Sequence, residues 1–303
     1  MSKLAERQAR LQQQISTGQR ITTASDDPKA MRRVLDLRNE RSQLTQYQDN
    51  ISTLRENANV VYSTVNAMKR LSDRASEIAT MADGTKAPVA LSAYAKEVDQ
   101  LLEETLRLSN TQYRDVYIFS GTKSKDATYT ATRDSDEKIT AISFDGNSNS
   151  AKIDIALSTS VDGNYSAEGT KGILKNSAND ADFITNLIAL RDNLTTAADT
   201  SLIKDANHAA LATIKDTVLG NLNKDEVNFI DHFSSIGAML SRLEPSEAIT
   251  KSQVASIEPL VSNEADIDLA DSLVRLNEIQ NAYTAALQSG GMLMKTSLLD
   301  YIR

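Results

Sequence analysis

Residues 44–68, LTQYQDNISTLRENANVVYSTVNAM, place Leu44, Tyr47, Ile51, Leu54, Ala58, Val61, Val65 and Met68 at alternating steps of three and four. Such a seam keeps one apolar stripe on a single face of an α-helix for about four heptads, a spacing that no strand would use. Leu71, Ala75, Ile78 and Ala82 continue it after a skip of one residue. Upstream, Asp27-Pro28 supplies a cap and a first-turn proline, so one helix is expected from Pro28 to Ala82, roughly 80 Å long at about 1.5 Å per residue. A stripe that long stabilises nothing unless something covers it, and burial of each Leu or Val is worth about 1.5–3 kcal/mol.

The covering segments are legible on both sides. Leu91, Tyr94, Val98, Leu101, Thr105 and Leu108 form a second seam after Asp83-Gly84 and Ala87-Pro88, and should fold back antiparallel on the first. Residues 4–17 read as a short helix with Leu4, Leu11 and Ile15 on one face and Gly18 as its C-terminal cap. From about residue 113 the pattern shifts to period two. Tyr117–Thr122 is β-prone, and Thr128–Arg133, Ile139–Phe144 and Lys152–Leu157 read as three strands, with Asp145-Gly146-Asn147 as a turn. Helical spacing resumes near Asp182 with Phe183, Leu187, Leu190 and Leu194. A long helix is expected from Lys204 to Leu243, loosened near Gly220 and stopped by Glu244-Pro245, with a further break at Pro259. A last helix runs from Asp266 to Ser289, interrupted by Gly290-Gly291 before a short segment ending at Ile302. The fold class is mainly α with a β insertion: a long antiparallel helical rod carrying a small, mostly β central domain. The expected divisions are 1–120, 121–175, 176–265 and 266–303.

Composition narrows the function classes. Aromatic residues are 5% of the 303, tryptophan and cysteine are absent, and 41 acidic against 33 basic residues give a net charge of −8. That balance speaks against phosphate-neutralising nucleic-acid binding and against attraction to anionic lipid, so neither nucleic acid nor membrane is an expected partner. Without cysteine there is neither disulfide nor thiolate chemistry. No apolar run is long enough to span a bilayer, and Met1–Arg7 has no signal-peptide core. The two histidines, His208 and His232, have no convergent carboxylates or hydroxyls at a useful spacing, and read as structural or surface residues. Asp145–Asn149 fails as a calcium loop because Ser150 and Ala156 stand where glycine and a bidentate glutamate are required. Glu97, Asp99, Glu103 and Glu104 read as a solvated helix face. The chain is therefore read as no enzyme, with no catalytic residue, cofactor or metal.

Three stretches resemble the flagellin-related axial proteins of bacteria. These are Leu11–Ile21 followed by Ala24-Ser25-Asp26-Asp27-Pro28; Asn110 with Tyr117-Ile118-Phe119-Ser120-Gly121-Thr122; and Asp266–Ala270 through Gln280–Leu287 to Ser297–Ile302. The Ser-Asp-Asp-Pro ending and the C-terminal pattern are more similar to the hook–filament junction members than to filament-forming flagellins. The resemblance implies a structural, extracellular role in the flagellum. It implies contact with hook-associated protein 1 on one side and flagellin on the other, self-association in a ring, export by the flagellar type III apparatus without a cleaved signal peptide, and a dedicated export chaperone. It further implies an assembly surface on the last helix, with Leu269, Leu273, Leu276, Tyr283, Leu287, Leu298 and Leu299 as candidate contacts. In that family the chain characteristically begins about one helix before the position of Met1. The helix 266–303 is therefore expected to lack its usual partner, and to be mobile or packed on a neighbour. A short filament-forming flagellin and a cytoplasmic coiled-coil scaffold remain as alternative readings.

Overall fold

A computed structural model describes residues 2–202 and 204–301, with side chains for 3–202 and 204–292. Helix α2 spans Pro28–Met81, as the seam predicts, and α3 spans Pro88–Ser109. Contacts divide the chain into two units: Met1–Gln46 with Ile249–Arg303, and Tyr47–Ala248.

In the larger unit, the seam is the core. Ile51, Leu54, Ala58, Val61, Val65, Met68, Ala75 and Ile78 are all buried, joined by Leu91, Val98, Leu102 and Leu108 of α3. Helix α4, Phe183–Ala198, starts where Asp182 accepts a bond from the Thr185 backbone N–H, and buries Phe183, Leu187, Leu190 and Leu194. The α2 pairings with the returning helix fall in reversed order, which makes the two antiparallel: Arg55 with Glu247 at 2.6 Å, a Tyr62–Phe233 ring stack at 4.1 Å, and Lys69 with Glu226 at 3.4 Å. The carboxylates of α3 are not merely solvated. Glu97 binds Arg74 of α2, Asp99 binds Arg191 of α4 and Glu103 binds Arg133, so this face ties three elements together.

The returning helix differs from its sequence reading. Helix α5 (Lys204–Thr213), a π-helical turn (Ile214–Val218) and α6 (Leu219–Ala265) follow without a break, the looser turn lying beside Gly220 as expected. However, Glu244-Pro245 does not stop the helix, nor does Pro259. Both prolines sit on the exposed face, where the carbonyl each leaves unbonded can take water, while Leu243 and Ile257 stay buried on the opposite side. Likewise Gly290-Gly291 does not interrupt α7, which spans Leu269–Tyr301. A side chain at either glycine would meet open space, so they lower helix propensity without forcing a turn.

The β region runs from 112 to 182, wider than expected, as three hairpins and one three-stranded sheet. Strands β1 (Gln112–Tyr113) and β2 (Val116–Tyr117) turn through Arg114 and Asp115, both at positive φ. β3 (Tyr129–Arg133) pairs with β4 (Ile139–Phe144), and β5 (Lys152–Ala156) with β6 (Thr159–Asp162). β7 (Glu168–Gly169), β8 (Lys175–Asn176) and β9 (Ala181–Asp182) form the fourth sheet. Asp145-Gly146-Asn147 is thus not a hairpin turn but the link between two hairpins. The β3–β4 turn is built instead by Asp134, whose carboxylate accepts from the Asp136 and Lys138 N–H groups at 2.9 Å each, and non-glycine residues at positive φ, Glu137 and Ser158, complete the two hairpin turns. Gly121 is required where it stands: its φ is +65°, and a Cβ there would lie 2.1 Å from the Asn147 carbonyl. Asn110, at the end of α3, clamps β3 by binding both the N–H and the carbonyl of Tyr129 at 2.9 Å.

Candidate assembly surface

The smaller unit holds both terminal recognition stretches, and its geometry begins with two helix connections. Helix α1, Ser2–Thr17, ends at Gly18, whose φ of +70° closes the cap. In the connection to α2, each motif carboxylate has a separate task. One Asp26 oxygen accepts from the backbone N–H groups of Thr22 and Thr23 at 3.0 Å each, and the other binds Arg10 at 2.7 Å. The backbone bonds from Thr23 and Thr22 hold its pKa down at about 2. Asp27 caps α2, accepting from the Lys29 and Ala30 N–H groups at 3.1 Å, and these bonds lower its pKa too.

The second connection repeats the logic. Asp268 caps α7 by accepting from Ala270 and Asp271, and Asp266 accepts from the Ser262 hydroxyl at 2.6 Å. The two connections are bonded to each other. The Arg20 N–H donates to the Ala265 carbonyl at 2.6 Å, and the Ile267 N–H to the Gly18 carbonyl at 3.1 Å. The Arg20 guanidinium reaches the Glu264 carbonyl at 2.8 Å. Beside them, Arg33 with Glu264 and Arg41 with Glu258 pair α2 and α6 in reversed order. The Ser-Asp-Asp-Pro and Asp-Ile-Asp stretches are therefore caps for two helices held at a common turn. Sequence reading found both stretches but missed the bonds between them, which join residues more than two hundred positions apart.

From that turn α1 and α7 run antiparallel, and Arg7, Arg10, Leu11 and Gln14 face Arg275, Glu278 and Ile279 across a shallow groove of about 320 Å³. One face of α7 is thereby half-covered, with Leu276, Ile279 and Tyr283 at intermediate burial. The covered stripe is narrow: beside it Leu269 is 52% exposed, Leu273 44% and Leu287 48%, and Val274, further round the helix, 57%. Of the predicted contacts, then, Leu269, Leu273 and Leu287 stand in solvent and Leu276 and Tyr283 face the groove. Leu298 and Leu299 lie outside the described side chains. Val274 was not predicted, because it falls off the heptad seam. Among the described residues no cluster of His, Cys, Asp and Glu could hold a metal ion, and no helix is long and apolar enough to cross a membrane.

Residues 1–124 match the bacterial flagellin N-terminal helical region. The chain is 24% identical over 295 residues to flagellar hook-associated protein 3 of Escherichia coli strain K12, covering 92% of this chain and 89% of the relative. Among solved structures it is similar to FlgL of Xanthomonas campestris (TM-score 0.61, 12% identity, 73% of this chain and 98% of that one). It is also similar to the flagellar junction protein FlgL of Legionella pneumophila (TM-score 0.58, 13% identity, 77% and 99%). The resemblance read from the three stretches extends to the fold.

Proposed function

We propose that this flagellin-related chain is a structural subunit of the bacterial flagellum, of the hook-associated protein 3 kind, joining the hook side to the filament. The supporting observation is the apolar surface that α7 leaves open beside its narrow covered stripe, with Leu269, Leu273, Val274 and Leu287 about half exposed, next to a turn that both terminal stretches are spent on building. A surface of that kind on a helix fixed at one end offers a seam to other helices, and each leucine gains burial only on assembly.

Within this reading the neighbours are hook-associated protein 1 on the hook side, flagellin on the other, and further copies of the chain around a ring. The protein acts outside the cell, having left through the flagellar type III apparatus, with a cytoplasmic chaperone shielding its apolar C-terminal helix beforehand. Its work is structural rather than catalytic. The buried Arg191 guanidinium, for one, is consumed in packing, held by Asp99, Asp192 and the Ile139 carbonyl.

The test is location and phenotype together. Sheared flagella should carry the protein in small, fixed proportion to flagellin, and a deletion strain should secrete flagellin unpolymerised and fail to swim. Retention in the cytosol with normal motility would overturn the reading. Spontaneous growth of the purified protein into long filaments would transfer it to the filament-forming flagellins.

A further inference from the structure

Helix α6 presents three polar side chains, Asp225, Asn228 and His232, along one buried stripe of the larger unit. Two of them are fully engaged with the segment that carries β8. Asn228 donates to the carbonyls of Gly172 and Ile173 at 3.1 and 2.9 Å, and accepts from Asn176 at 2.7 Å. The His232 ring bonds the Gly172 carbonyl at 3.1 Å. Asp225 differs. It is 1% exposed, one carboxyl oxygen accepts from the Asn186 amide of α4 at 2.7 Å, and the other is buried without a partner.

The charges around it do not supply a counter-ion. Asp182 on β9 is of like sign and is itself paired with Lys175 at 3.1 Å. Lys224, next to it on α6, points into solvent, and Glu226 is held by Lys69 of α2. On α4, Arg191 is committed to Asp99 and Asp192. Burial outweighs the groups that favour the ionised form, which are the Asn186 amide, the Asp182 backbone N–H and the charge of Lys224, so the neutral acid is the more stable species in this site.

We infer that Asp225 is a proton-holding carboxyl that sets the grip of α6 on α4 and the β7–β9 sheet, tight when neutral and loosened when ionised. Burial is the main cause of a pKa raised to about 7. A carboxyl whose folded pKa exceeds its unfolded value binds more protons when folded. Its stabilising effect is full below the unfolded pKa near 3.8 and is lost as pH rises through about 7. His232 acts in the opposite sense, since burial lowers its pKa, so wild type alone would not separate the two.

The experiment compares the full chain with Asp225→Asn, which keeps shape and removes the proton. Melting temperature is followed from about pH 4 to about pH 8. The variant should gain on wild type steadily as pH rises, and its folding should take up about one proton fewer across that interval. A difference that stays constant with pH would overturn the inference. A carboxyl ¹³C titration of wild type decides independently of whether the variant folds. A resonance for Asp225 titrating near neutrality supports the inference, and one titrating in the ordinary carboxylate range contradicts it. Neither readout depends on the flagellar assignment.

Discussion

The two units use apolar residues in opposite ways. In Tyr47–Ala248 the large side chains meet inside: Phe119, Phe183 and Phe229 are all but inaccessible, and Phe183 and Phe229 pack edge to face at 5.2 Å. The smaller unit buries only modest side chains such as Ile21, Ala30, Val34, Ile257 and Ala265, while Leu35, Ile249, Leu260, Leu269, Leu273, Val274, Leu287 and Met292 stand exposed. Its order comes from caps and ion pairs at a turn rather than from a core. The difference lies in where the large side chains go: the larger unit closes most of them into a core, and the smaller one leaves most of its own exposed.

The largest effect should come from cutting the core of the larger unit. Phe183→Ala is expected to cost about 3–5 kcal/mol in a thermal or urea melt, through lost burial and the cavity left behind. Pro245→Ala should act the other way, restoring a backbone donor on an exposed face and raising stability by up to about 3 kcal/mol. A loss instead would mean that the proline shapes the helix. Arg191→Met should cost about 2 kcal/mol, because it strands the buried Ile139 carbonyl and unpairs Asp99, itself partly open to solvent. In the smaller unit, acid should act on the connection between α1 and α2. The Asp26 pKa is depressed, so its contribution is present above its unfolded value of 3.8 and disappears as pH falls through about 2. Hydrogen exchange of the Thr22 and Thr23 amides should accelerate over that window, and Asp26→Asn should remove the dependence. Smallest of all, Leu273→Ala should change monomer stability by no more than about 0.5 kcal/mol. A core-sized loss there would erase the contrast between the units.

The sequence told more about elements than about their joints. The 44–68 seam predicted α2 correctly because a heptad stripe is redundant: eight residues state the same period. Strands β3, β4 and β5 were legible from alternation. What sequence missed was set by tertiary context. Pro245 and Pro259 are helix breakers by propensity, yet they lie on the side of α6 where a missing hydrogen bond can be hydrated. Glu137 and Ser158 complete their hairpin turns without glycine. The acidic stripe of α3 looked solvated because its arginines, Arg74, Arg133 and Arg191, come from three separate elements. In the candidate surface, the Asp-rich stretches were recognisable, but the Gly18–Ile267 and Arg20–Ala265 bonds between them were not, since no local pattern encodes a contact across the whole chain.

The most direct test of the account is complementation of a deletion strain by Leu269→Asp/Leu273→Asp. The account predicts a protein that melts like wild type, since both residues are already in solvent, yet fails to restore swimming and is absent from sheared flagella. Full restoration of motility by this double variant would contradict the claim that the open apolar surface of α7 is where the subunit is built into the flagellum.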